Sequence, residues 1–273
     1  MEISTQEQLE SEIEELEHEI EVTSAWKKVQ NIVWMIAALM ISAGQWSDTK
    51  EIFTSTYEAI IENFTHSLQY EMLEKIHIGN SIDYVKSIVG EPNVIKRSKI
   101  DNNVVFQYYD EGKFNLTLIS ADSRLVGYSV FTQEEDFIPK VPFSEDLGSL
   151  NITNAHKNQG VYNYDIGNLI YYIESEDLGK QQMFLTLIRG YVEYGATPSV
   201  KQIGPDYEKS LVSLIEKLDQ KVILSDNEEE ISILLSDVRK AIYPNYYAIT
   251  ELEPAIIAEA LLTRYEYKTF TKS

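Results

Sequence analysis

The spacing of apolar residues changes character along the chain, and each change marks an element. Over residues 7–22, Leu9, Ile13, Leu16 and Ile20 recur every three or four positions, a helical seam. Glu crowds the other faces. The stripe therefore predicts a solvated helical arm, residues 1–25, rather than a self-associating helix, because like charges this close repel a parallel copy. A run without a charge follows, from Val29 to Ser47. Trp26 and Trp46 bracket it, Trp34 lies inside it, and Lys27 and Lys28 stand at its N-terminal edge. Aromatic and basic flanks of this kind predict a single transmembrane helix over 26–47. A core helix of a globular protein is the other reading, because the apolar core of the run is only residues 32–44. Two lysines before the run against Lys50 after it place the N-terminus inside and residues 47–273 outside.

Beyond the run, Phe53, Tyr57, Ile60, Ile61, Phe64 and Leu68 line one face of a connecting helix over 48–77. Residues 78–132 change to alternation. Ser81 is suited to cap a short helix carrying Val85, Ile88 and Val89, which Gly90-Glu91-Pro92 ends. Val104–Tyr109, Phe114–Leu118 and Leu125–Phe131 then read as three strands joined by tight turns at 110–113 and 121–124, an antiparallel meander covered by the helix. A polar connector with Pro139, Pro142 and Gly148 spans 133–160. In 161–273, Val161–Glu174 and Met183–Val192 are candidate strands or helices. The last third carries helical stripes through Leu211, Ile215 and Leu218 and through Leu235, Val238 and Ile242. The expected fold class is α+β: an N-terminal helix and a transmembrane helix, a helix-plus-antiparallel-sheet module, and a mixed, mainly helical C-terminal part.

Charge narrows the partners. The net charge is −21, of which residues 1–25 contribute −9 and residues 26–46 contribute +2, leaving −14 for the rest. No region is basic, so nucleic acid is not an expected partner. The chain has no cysteine, which removes thiol catalysis, disulfides and thiolate metal sites. The acidic first 25 residues are the reverse of a signal-peptide n-region.

The run Ile78-Gly79-Asn80-Ser81, Val85 and Val89-Gly90-Glu91-Pro92 resembles the opening of small bacterial periplasmic modules of the outer-membrane-assembly lipoprotein and beta-lactamase inhibitory protein types. The resemblance covers about 50 of 273 residues and implies a helix laid on an antiparallel sheet. Lipid attachment does not carry over without a Cys. As a whole the chain is similar to an uncharacterised bacterial family of single-pass membrane proteins, through the early hydrophobic run, the Gly90-Glu91-Pro92 module, Tyr171-Tyr172-Ile173-Glu174 with Leu178-Gly179, and Arg239-Lys240 with Tyr243-Pro244-Asn245. That similarity implies a bacterial inner-membrane location and no assigned activity.

Candidate chemistry is sparse. The histidines at 18, 66, 77 and 156 form no metal-ligand spacing, and no phosphate loop, dinucleotide turn or nucleophile elbow is present. No catalytic, cofactor-binding or metal residue is therefore assigned, and no cofactor is expected. Glu174, Glu176 and Asp177 are the best carboxylate group; one of them desolvated beside another would suit a hydrolase, against the simpler reading of a strand end entering water. Tyr171, Tyr172, Glu174, Arg239 and Asn245 are the candidate recognition surface, since Tyr combines contact area with a polar tip. The expectation is a membrane-anchored, non-enzymatic binding or sensing module. It would contact lipid through Trp26, Lys27, Lys28, Trp34 and Trp46, and a protein partner through the C-terminal region.

Overall fold

The computed structural model describes residues 66–271, except 157, 183, 199–203, 205 and 225–226, together with Trp34 and Met35. The chain divides into two compact units, Met1–His66 and Ser67–Ser273, and only the second is described at length.

An eight-stranded, wholly antiparallel sheet organises it: β1 (Val94–Arg97), β2 (Val104–Asp110), β3 (Phe114–Ala121), β4 (Arg124–Thr132), β5 (Tyr162–Asp165), β6 (Tyr171–Asp177), β7 (Thr186–Val192) and β8 (Tyr246–Thr250). Their spatial order is β1-β2-β3-β4-β8-β7-β6-β5. The last strand in sequence thus lies in the middle. It pairs with β4 through Val130 opposite Tyr247, and with β7 through Arg189 opposite Tyr247.

Helices cover both faces. On one, α1 (Ser67–Glu74) and α2 (Ile82–Val89) lie over β2–β4 and β8, with Leu73, Ile76 and Val85 packed on Leu116, Leu118, Tyr128 and Ile249. α2 forms where its caps allow it. The Ser81 hydroxyl accepts from the Tyr84 amide at 3.3 Å, and Gly90, at φ +85°, takes the left-handed turn that ends the helix. Further along the same face, α3 (Ile152–Ala155) and the pair α4 (Tyr207–Leu224) and α5 (Glu228–Ala241) cover β6 and β7, burying Leu211, Ile215, Leu235 and Val238 against Tyr172 and Tyr191. On the opposite face α6 (Pro254–Ala260) and α7 (Arg264–Phe270) close a third cluster around Phe106, Ile188 and Tyr246. Each fully buried Leu or Ile contributes roughly 1.5–3 kcal/mol, so the three clusters supply most of the driving force.

One expectation is corrected here. The transmembrane helix does not stand: among the described residues no helix is long and apolar enough to cross a membrane. A physical reason is visible in the run itself. Its apolar core, residues 32–44, would rise only about 20 Å as a helix, short of the ~30 Å hydrocarbon layer. Trp34 and Met35 are helical and exposed; the rest of the run, with Trp26, Lys27, Lys28 and Trp46, lies outside the described residues, as does the acidic arm. The single-pass reading and the bacterial inner-membrane location have no described helix to rest on. The C-terminal part is mixed, with more residues in the helices α4–α7 than in strands. Residues 161–273 contribute β5, β6, β7 and β8, half of the sheet. β6, β7 and β8 are buried on both faces, so the alternation that marks a strand is missing from them.

Candidate functional site

Glu174 on β6 stands opposite Arg189 on β7, both on the face covered by α3, α4 and α5. Strand pairing places two charges side by side at a depth where neither meets water: Glu174 is fully buried and Arg189 is 3% exposed. Such a pair persists only if its remaining hydrogen-bonding capacity is met. The Tyr172 hydroxyl donates to Glu174 Oε2 at 2.8 Å, Arg239 Nε donates to the same oxygen at 2.9 Å, and the Gly160 amide donates to Oε1 at 3.1 Å. His156 Nδ1 lies 3.5 Å from Oε1. Gly160 is required for this approach, because a Cβ there would stand 1.6 Å from the Ser175 carbonyl oxygen.

Burial pushes the Glu174 carboxyl upward, but the His156, Gly160, Tyr172 and Arg239 donors outweigh it and hold the carboxyl below its usual range. Tyr172 is pushed the other way, by burial and then by the Glu174 charge. Arg189 is the second half of the knot. Its Nη2 donates to Glu176 Oε2 at 2.9 Å and to the Ala155 carbonyl at 2.6 Å, and its Nη1 donates to Ser144 Oγ. Burial lowers the Arg189 pKa, with Glu176 opposing.

Ser144 belongs to a strap, residues 137–147, that crosses the same face. Phe137 anchors one end, stacked on Phe114 at 4.8 Å and on Tyr70 at 5.1 Å. The Tyr70 hydroxyl accepts from the Ile138 amide at 2.9 Å. Between the anchors the strap leaves two concavities. One, about 650 Å³, lies under α1 and is floored by Tyr128, Tyr247, Leu185 and Ile249, with Glu74, His77, Lys140 and Asp146 around it. The Tyr128 and Tyr247 rings meet edge to face at 6.2 Å. The other is a polar cleft of about 930 Å³, bounded by Glu145, Asn154, Gln159, Glu176, Asp177 and Arg189. Phe143 borders both. Its side chain is 61% exposed and its backbone sits at φ +63°, a conformation that bulky residues rarely take. Phe184, one residue before Leu185, repeats the pattern at φ +59° and 72% exposed. Strained, displayed aromatics are features a fold retains where something has to be met.

The residues singled out from the sequence are brought together only in part. Tyr172, Glu174 and Arg239 meet in the knot. Tyr171 points to the opposite face, where its hydroxyl donates to Asn163 Oδ1 at 2.7 Å. Asn245 is fully buried and bridges β7 to the turn beyond it: it accepts from the Val192 amide and donates to the Val192 and Gly195 carbonyls. Tyr171, Tyr172, Glu174 and Asn245 are all buried, so none of the four presents a side chain to solvent. Glu176 and Asp177 line the cleft; Glu174 does not. Reasoning from the sequence passed over His156, Gly160 and Arg189. For Arg189 a signal existed: it is the one charge inside the apolar stretch Leu185–Val192.

Chemically, Glu174 is not arranged as a general acid. That role needs a raised pKa and access to substrate, and this carboxylate has neither. Comparisons with protein-family models, with curated proteins and with solved structures give no match.

Proposed function

We propose that the protein is a non-enzymatic binding module that receives an apolar group of its ligand in the cavity under the strap. The observation that carries this reading is the cavity itself. Its volume of about 650 Å³ falls within the range of small-ligand sites, its floor is aromatic and aliphatic, and a few polar groups stand at its edge. The ionised, fully hydrogen-bonded state of Glu174 supports a scaffolding rather than a catalytic role for the neighbouring carboxylate. Fluorescence titration with the neutral apolar probe N-phenyl-1-naphthylamine is the test. Saturable brightening is expected, and Ile78→Trp, which fills the cavity from the segment after α1, should abolish it while circular dichroism stays unchanged. Equal brightening by both proteins would overturn the reading.

A further inference from the structure

The geometry points to the class of ligand: a cationic peptide segment with an apolar anchor residue, laid across Phe143 from the cavity into the polar cleft. The inference rests on the cavity being a binding site, and adds what occupies it.

Charge is the first argument. The cavity carries Glu74 and Asp146, both exposed, and the cleft carries exposed Glu145 and Asp177 and the partly exposed Glu176. Glu176 and Arg189 pair with each other at 2.9 Å, so four carboxylates stand against Lys140. The whole chain carries −21. Such a surface repels phosphates, nucleic acid and carboxylate-headed amphiphiles, and draws in cations.

Shape and chemistry of the lining are the second. An apolar cavity alone suits an apolar molecule of any kind, but here it adjoins a cleft bordered by four carboxamides, Asn154, Asn158, Gln159 and Gln182. A carboxamide both donates and accepts, which matches the alternating N–H and C=O groups of an extended backbone. Phe143, exposed and bordering both concavities, is an aromatic surface that a passing Lys or Arg can stack on. An extended peptide puts successive side chains on opposite sides, so an apolar residue can enter the cavity while basic neighbours reach the cleft.

Fluorescence polarisation with three labelled nine-residue probes tests this: one carrying a central Leu flanked by Lys, one with Glu replacing every Lys, and one with Ser replacing Leu. The Lys probe is expected to bind at least about tenfold tighter than the Glu probe at low salt, with the gap narrowing as salt screens the charges. Glu145→Gln combined with Asp177→Asn should weaken the Lys probe about three- to tenfold. Glu216→Gln combined with Glu229→Gln, an equal charge change on α4 and α5, should leave it unaltered. Equal binding of Lys and Glu probes, or equal weakening by the two double variants, would overturn the inference while leaving the apolar cavity intact as a site. Equal binding of the Leu and Ser probes would instead count against the cavity reading itself. Should naphthylamine fill the cavity while no peptide probe binds, the ligand is a small apolar molecule and the peptide assignment fails.

Discussion

One row of side chains crosses a single face of the sheet and changes its chemistry halfway. Tyr109, Leu116, Val130 and Tyr247 follow one another across β2, β3, β4 and β8; the next two positions, on β7 and β6, are Arg189 and Glu174. The first half packs on α1, α2 and the strap with Phe114 and Phe137 at its centre. The second half packs on α3, α4 and α5, and its centre is Glu174, paired with Arg239 and accepting from Tyr172 and the Gly160 amide, beside Arg189 paired with Glu176. Both halves are equally dry. The apolar half is stabilised by removing surface from water and is nearly indifferent to which aliphatic group fills a position. The polar half has to find hydrogen-bonding partners for the charges it buries, and several of these lie far away in sequence. Only the second can respond to pH.

The sharpest way to break this contrast is to remove one anchor from each half. Glu174→Ala should cost about 3–5 kcal/mol in urea unfolding, because Arg239 would lose its counter-charge and the Tyr172 hydroxyl and Gly160 amide their acceptor. Phe114→Ala should cost a similar amount, about 3–5 kcal/mol, through the void left against Phe137. The two losses should differ in pH dependence: constant from acid to neutral for Phe114→Ala, shrinking on acidification for Glu174→Ala. Equal pH profiles would dissolve the distinction.

A smaller effect sharpens it. The folded Glu174 carboxyl lies below its ordinary value of 4.5, so on acidification the unfolded chain takes up that proton first. The stabilisation is complete above about pH 4.5 and is lost as pH falls toward the folded value. Glu174→Gln, which keeps the shape, should therefore flatten the fall in unfolding free energy across that acidic window relative to the parent protein. An unchanged slope would show that Glu174 does not set it. The smallest effect tests whether desolvation, rather than charge as such, makes the knot strong. Arg124 and Glu251 form a two-pronged pair, both bonds 2.6 Å, on the open surface. Arg124→Ala should change stability by only about 0–1 kcal/mol. A loss approaching that of Glu174→Ala would refute the explanation.

How much of this was legible in the sequence follows the same divide. The β2–β4 meander shows alternation or a clear turn at each boundary, and the strands fall within a residue or two at most ends of where the pattern puts them; Ser81 and Gly90 do cap their helix. Those signals are local. β8, Tyr-Tyr-Ala-Ile-Thr, is buried at all five positions, has no period of two, and sits between helical stripes, so it was read into a helical region. Glu174, Tyr172 and Arg239 attract notice singly as polar or aromatic residues of unusual setting, but that Arg239 meets Glu174, 65 residues away, is a property of how α5 packs on the sheet. The cavities are less legible still, because Leu73, Tyr128, Ile138 and Ile249 share no motif; only the closed fold gathers them.

The position of β8 sets the timetable of synthesis. Until residue 250 has left the ribosome, β4 and β7 each present a bare row of amides and carbonyls, and the nascent chain holds two half-sheets with nothing between them. A product stopped before Tyr246 would carry two open edges instead of one keystone, and edges of that kind recruit each other. Premature termination in the last tenth of this chain should therefore yield aggregates, where the same length removed from a protein with its final strand at the rim would merely shorten the sheet.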